Sequence, residues 1–112
     1  MGRDRWHEIE EEGGALVVAR RWPVRFDLAV ATRFPRGGRR YLAHLVRQDM
    51  WRALQTLRGF IPAVRVTRSY GGLEVVAGGE VQGRFDRADA EARIAAVLED
   101  PANRARWMRR AR

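Results

Sequence analysis

The chain contains no cysteine and no lysine, holds only two histidines, and has no long uninterrupted hydrophobic run. Without cysteine there can be no disulfide, thiolate metal site or cysteine nucleophile. No apolar stretch approaches the ~18–20 residues that span a bilayer. The opening residues, MGRDRWHEIEEE, lack the apolar segment of a secretion signal. The expectation is a soluble, cytoplasmic protein with no membrane contact. His7 and His44 have no carboxylate at ligand or relay spacing in the sequence, and no H-x-x-x-H pair, G-x-S-x-G elbow or phosphate-binding P-loop occurs. Asp86 and Asp89 lie three apart at an expected helix start, where capping accounts for them better than acid–base work. These absences predict a non-enzymatic protein without metal or cofactor.

What is there is arginine. The 112 residues are 46% hydrophobic, enough for one domain, residues 1–112, with a single core. All 22 basic side chains are arginines, the net charge is +8, and the isoelectric point is about 11.5. Exclusive arginine beside abundant alanine and glycine reflects a coding bias, but exchanging lysine for arginine leaves net charge unaltered, so the excess itself calls for a polyanionic partner. Its placement is uneven. Residues 33–68 carry nine arginines against Asp49 alone, residues 69–100 are net acidic, and 101–112 add five arginines with no acid.

A near-repeat organises the chain: GGALVVA at 13–19 and GGLEVVA at 71–77. In each, paired glycines supply the positive φ of a hairpin turn between apolar, β-branched flanks. Strands are expected at 5–11 and 15–20, then at Leu28–Phe34 before the breaker Pro35. A helix over Arg39–Leu57 follows, stopped by Gly59 and Pro62. A second hairpin, AVRVTRSY and GLEVVAG, precedes a short strand near Glu80–Arg84. Asp86 reads as the N-cap of a helix over Ala88–Leu98, and Asp100-Pro101 as cap and first turn of a last helix through Arg104–Met108. The fold class is therefore α+β: an antiparallel sheet of about four to six strands from two β-hairpin–strand–helix passages, one long amphipathic helix on a face, and C-terminal helices. RFDLA at 25–29 parallels RFDRA at 84–88, which raises a pseudo-twofold internal duplication as one reading of the repeat.

Projected at 100° per residue, the long helix gathers Leu42, Leu45, Val46, Met50, Ala53, Leu54 and Leu57 on one side. Tyr41, His44, Arg47, Gln48, Trp51, Arg52, Gln55 and Arg58 fall on the other. Asp49, near the apolar margin, is expected to form a partly buried pair with an arginine. Trp51 among arginines either stacks a base or partner, or is covered by the last helix. Arg36, Arg39 and Arg40 crowd the start of that helix, where free amides already present positive charge and a phosphate would relieve the repulsion. In the tail, NRARWMRRAR, the residues Arg104, Arg106, Trp107, Arg109 and Arg110 form a third basic element suited to phosphates or an acidic partner. Glu8, Glu10, Glu11 and Glu12 read as the solvent side of an edge strand.

Together these residues predict a small nucleic-acid-binding accessory protein, phosphate-led and weakly sequence-specific, with DNA or RNA as partner. The alternative is a protein-interaction module, an accessory subunit or adaptor that turns the same arginine and tryptophan surface to an acidic protein. A homodimer through an edge strand or the Trp51 face is compatible with either.

Overall fold

Gly13 and Gly14, both at φ +84° where a side chain would be strained, reverse the chain between β1 (His7–Glu11) and β2 (Ala15–Ala19). The two strands pair antiparallel from His7↔Ala19 to Glu11↔Ala15. A second hairpin joins β4 (Phe60–Ser69) to β5 (Gly72–Val81), and β3 (Leu28–Phe34) lies against β5. The computed structural model describes residues 6–111. Its five strands form one antiparallel sheet in the order β1-β2-β4-β5-β3, within the expected strand number.

The connection from β2 to β3 carries the chain across one face of the sheet. Val24 and Phe26 pack there on Val17, Ala19 and Ala63. The Arg65 guanidinium carbon stands 5.0 Å from the Phe26 ring centroid. The opposite face is covered by helices α1 (Arg39–Ala53), α2 (Arg87–Glu99) and α3 (Pro101–Arg110). Strand alternation turns Val18, Val64, Val66, Val75 and Ala77 toward them. Leu42, Val46 and Met50 of α1, Ile94 and Leu98 of α2, and Trp107 of α3 close the main core over these residues. Trp107 meets Phe34 edge to face, with centroids 5.9 Å apart.

Both aspartate caps form as expected. Asp86 accepts from the Asp89 amide at 3.0 Å. Asp100 accepts from Ala102 and Asn103 at 2.8 and 3.2 Å, with Pro101 in the first turn. Two boundaries differ from expectation. The long helix stops at Ala53 rather than Leu57, because Leu54 leaves helical geometry at φ −113°, ψ 24°. Its amide is shared between the Met50 and Trp51 carbonyls at 3.0 and 3.3 Å. Leu54 is buried and Leu57 partly so, so the apolar pattern continues through what is a turn. The strand expected near Glu80–Arg84 is not separate either: β5 runs unbroken through Gly78 and Gly79 to Val81. Gly78 is needed because β3 comes so close that a Cβ there would sit 1.8 Å from the Leu28 carbonyl oxygen. As for the internal repeat, RFDLA leads into strand β3 while RFDRA leads into helix α2, so beyond the hairpins the two passages build different elements.

Candidate functional site

The basic loop at the start of α1 is the first place where arginine was expected to meet an anion. Strand alternation puts Glu8 and Glu10 of β1 on the sheet face that α1 covers, and they engage that helix. Arg39 grips Glu10 through both terminal nitrogens, at 3.0 and 3.2 Å, and donates to the Gly14 carbonyl at 3.2 Å. Arg40 Nε donates to Glu8 at 2.8 Å, and the other Glu8 oxygen lies 2.6 Å from His44 Nε2. The hydrogen bond to His44, then that to Arg40, holds the Glu8 carboxyl below its usual range. Arg39 does the same to Glu10. On the other face Glu11 takes Arg65 at 2.9 and 3.3 Å. The β1 glutamates expected to face solvent alone are thus cross-links from an edge strand to its neighbours. His44, which lacks a carboxylate nearby in sequence, gains one through the fold.

The C-terminal element docks rather than trails. Gly38 donates its amide to the Ala111 carbonyl at 2.8 Å, and Arg36 reaches the Met108 carbonyl at 3.4 Å. Loop and last helix therefore meet, with Arg36, Arg109 and Arg110 exposed. Trp107, expected on the recognition surface, is instead fully buried, and its indole nitrogen donates to Asp49 Oδ2 at 2.7 Å. Arg106 donates to the same oxygen at 3.0 Å, which gives Asp49 the partly buried arginine partner expected of it. Arg104 also turns inward. It donates to Thr32 Oγ1 at 3.1 Å, the Leu98 carbonyl at 2.9 Å and the Arg33 carbonyl, and lies 4.0 Å from the Phe34 ring centroid. Of the tail residues assigned to binding, Trp107 is withdrawn into the core, and Arg104 and Arg106 fasten α3 to the rest of the fold.

Trp51 is placed differently. It stands on the last turn of α1 and is 43% exposed. About 18 Å of helix axis separates it from Arg39, so the loop arginines before α1 do not share its surface. Other arginines do. Trp51 lines an open groove of about 410 Å3 with Arg20, Arg21, Phe60, Ile61 and Pro62. The sheet order explains the company: β2 pairs with β4, so Arg20, just past β2, lies beside Pro62, to whose carbonyl its amide donates at 3.0 Å. Arg21 is half exposed and is steadied by buried Glu80 at 3.4 Å. One turn before Trp51, Arg47 lays its guanidinium 4.3 Å from the Trp6 ring centroid and donates to His44 Nδ1 at 3.2 Å. Arg20 approaches the same Trp6 ring at 5.8 Å. Arg58, exposed, sits in the turn leading to Phe60.

Of the residues named from sequence, then, Arg47 and Trp51 lie on one arginine–tryptophan surface, and Arg36, Arg109 and Arg110 gather near the start of α1. Arg39 and Arg40 are engaged by acids. Arg20, Arg21 and Trp6 were missed. The stretch RRWP at 20–23 carried a signal, two arginines and an aromatic before a proline in a loop, but no periodicity marks where a loop will lie. Among the described residues the groove is lined by Arg20, Arg21, Trp51, Phe60, Ile61 and Pro62, with Glu80 engaging Arg21 at 3.4 Å. Such a surface can attract anions and offer a ring face. Among the described residues no group of three or more His, Asp or Glu is placed to hold a metal ion, and no helix is long and apolar enough to cross a membrane. No known protein family, curated protein or solved structure matches the chain.

Proposed function

We propose that this protein is a small non-enzymatic accessory protein that binds nucleic acid, led by phosphate contacts and with weak sequence preference. The observation that carries the reading is Trp51, 43% exposed on a helix end and sharing a groove with Arg20 and Arg21. Arginine forks bind phosphate oxygens in pairs, and the net charge of +8 favours approach to a polyanion. Arg36, Arg109 and Arg110 extend the basic surface beyond the groove.

The test is a salt titration of binding to labelled DNA and RNA by fluorescence anisotropy. Affinity should fall steeply between about 50 and 200 mM salt, and Arg21→Ala should reduce the log–log slope by about one unit. Absence of binding at the lowest salt overturns the proposal and leaves the same arginine and tryptophan surface to a protein partner.

A further inference from the structure

Resting on the reading above, we infer that the groove takes a single-stranded polynucleotide, with an unpaired base stacked on the Trp51 ring. Three features point to a strand rather than a duplex. The first is the ring itself. A duplex displays phosphates and base edges and seals the base faces against one another, so an exposed indole is of use to a nucleic-acid binder mainly where a base is free to lie on it. The fold buries Trp107 and leaves Trp51 exposed, as it does Trp22 next to Arg21, but of the two only Trp51 lines the groove with Arg20 and Arg21.

The second feature is the form and lining of the groove. At about 410 Å3, it falls within the ~300–1,000 Å3 of clefts that hold small organic groups. Phe60, Ile61 and Pro62 at the start of β4 line it beside Trp51, while Arg20 and Arg21 are supplied from the loop after β2. Apolar wall with adjoining cations is the division of labour by which single strands are held: bases on the wall, phosphates on the guanidinium groups.

The third feature continues the platform. Arg47, one turn from Trp51, is already stacked on Trp6 at 4.3 Å. Its plane is held by the Nε bond to His44, and His44 by Glu8. A guanidinium held over a ring one helical turn from Trp51 adds a second group of the kind that stacks bases, since Arg planes stack as aromatic rings do. Among the described groove-lining residues only the arginines and the Trp51 indole N–H carry side-chain hydrogen-bonding groups, so the recognition proposed is of stacking and charge.

The experiment compares one labelled 12-mer single strand, its perfect duplex, and the same strand with abasic sites, bound to the full chain by anisotropy at fixed low salt. The variants are Trp51→Ala, Trp51→Phe and Arg21→Ala, each checked for an unchanged urea midpoint. The single strand should bind more tightly than the duplex and than the abasic strand. Trp51→Ala should weaken it by at least about fivefold, the lower end of a base stack, with Trp51→Phe retaining most of the affinity. Single-strand binding should also quench tryptophan emission in the parent chain and less so in Trp51→Phe. Equal affinity for strand and duplex, with Trp51→Ala neutral while Arg21→Ala still weakens both, overturns this inference and leaves phosphate-led binding standing. Loss of all binding to either form overturns the reading beneath it.

Discussion

Replacing Asp49 with alanine takes one carboxylate away from three donors. Trp107 Nε1 and Arg106 Nη2 both bond Oδ2, at 2.7 and 3.0 Å, and Arg52 lies 3.5 Å from Oδ1. The three are not equivalent. Trp107 is wholly enclosed, so its N–H would be left in the core without an acceptor, at about 1–3 kcal/mol. The Arg106 bond is to a carboxylate that is only 13% exposed, and a hydrogen bond to a charged group contributes about 1.5–3 kcal/mol. Arg52 is largely in water, and such pairs contribute about 0–1 kcal/mol. Alanine returns up to about 0.7 kcal/mol through helix propensity. The expected net loss is about 3 kcal/mol for Asp49→Ala. Asp49→Asn keeps an oxygen for the indole and should lose about 1–2 kcal/mol. In urea, with a slope of about 1.5 kcal/mol/M, the alanine variant should unfold about 2 M earlier, and Arg52→Ala should move by less than about 0.7 M. In a cycle with Trp107→Phe, the coupling should exceed about 1 kcal/mol. Equal shifts for Asp49→Ala and Arg52→Ala, or no coupling to Trp107, would refute the idea that this carboxylate fastens α3 to α1.

The carboxyls of Glu8, Glu10 and Asp27 are all held below their ordinary values, 4.5 for glutamate and 3.8 for aspartate, by His44 and Arg40, by Arg39, and by the Val81 amide with Arg25 respectively. Because the folded values are depressed, the unfolded chain binds more protons in acid. The stability they contribute is complete above about pH 5 and is lost as pH falls through the folded values. Urea midpoints should therefore decline below about pH 5, and Asp27→Asn should flatten that decline; an identical profile for the variant counts against the assignment. Gly78→Ala should cost about 3 kcal/mol or more, as overpacking against an immovable backbone does, because the new methyl meets the Leu28 carbonyl. A urea midpoint within about 0.5 M of the parent would show that β3 can move aside.

Much of the architecture is legible because local chemistry and global packing agree. LAVATRF before Pro35, and the aspartates at 86 and 100, each specify their element without help from distant residues. Where local pattern misleads, the cause is identifiable. Leu54 and Leu57 keep helical spacing after the helix has ended, since a turn beside the core buries the same apolar residues. Gly78 and Gly79 look like a break, but the spacing between strands requires a residue without a side chain. Trp51 and Arg47 emerge from the helical projection alone. Arg20 and Arg21 do not, because only the pairing of β2 with β4 carries them to the same groove. The fate of Arg39 and Arg40 is hidden for the same reason: their partners, Glu10 and Glu8, are about thirty residues away in the chain and arrive through the sheet.

The inward-turned Arg104 bears on the absence of lysine. One planar fork reaches a hydroxyl and two main-chain carbonyls while resting on a phenyl ring, and it covers an outward-facing acceptor on the β3 margin. A tetrahedral ammonium has the charge for this position and lacks the shape. Whatever nucleotide economy filled this chain with arginine, recoding it to lysine would leave its migration in an electric field nearly untouched. A denaturant titration would register the difference, because the fold has come to depend on the geometry of the group as well as on its sign.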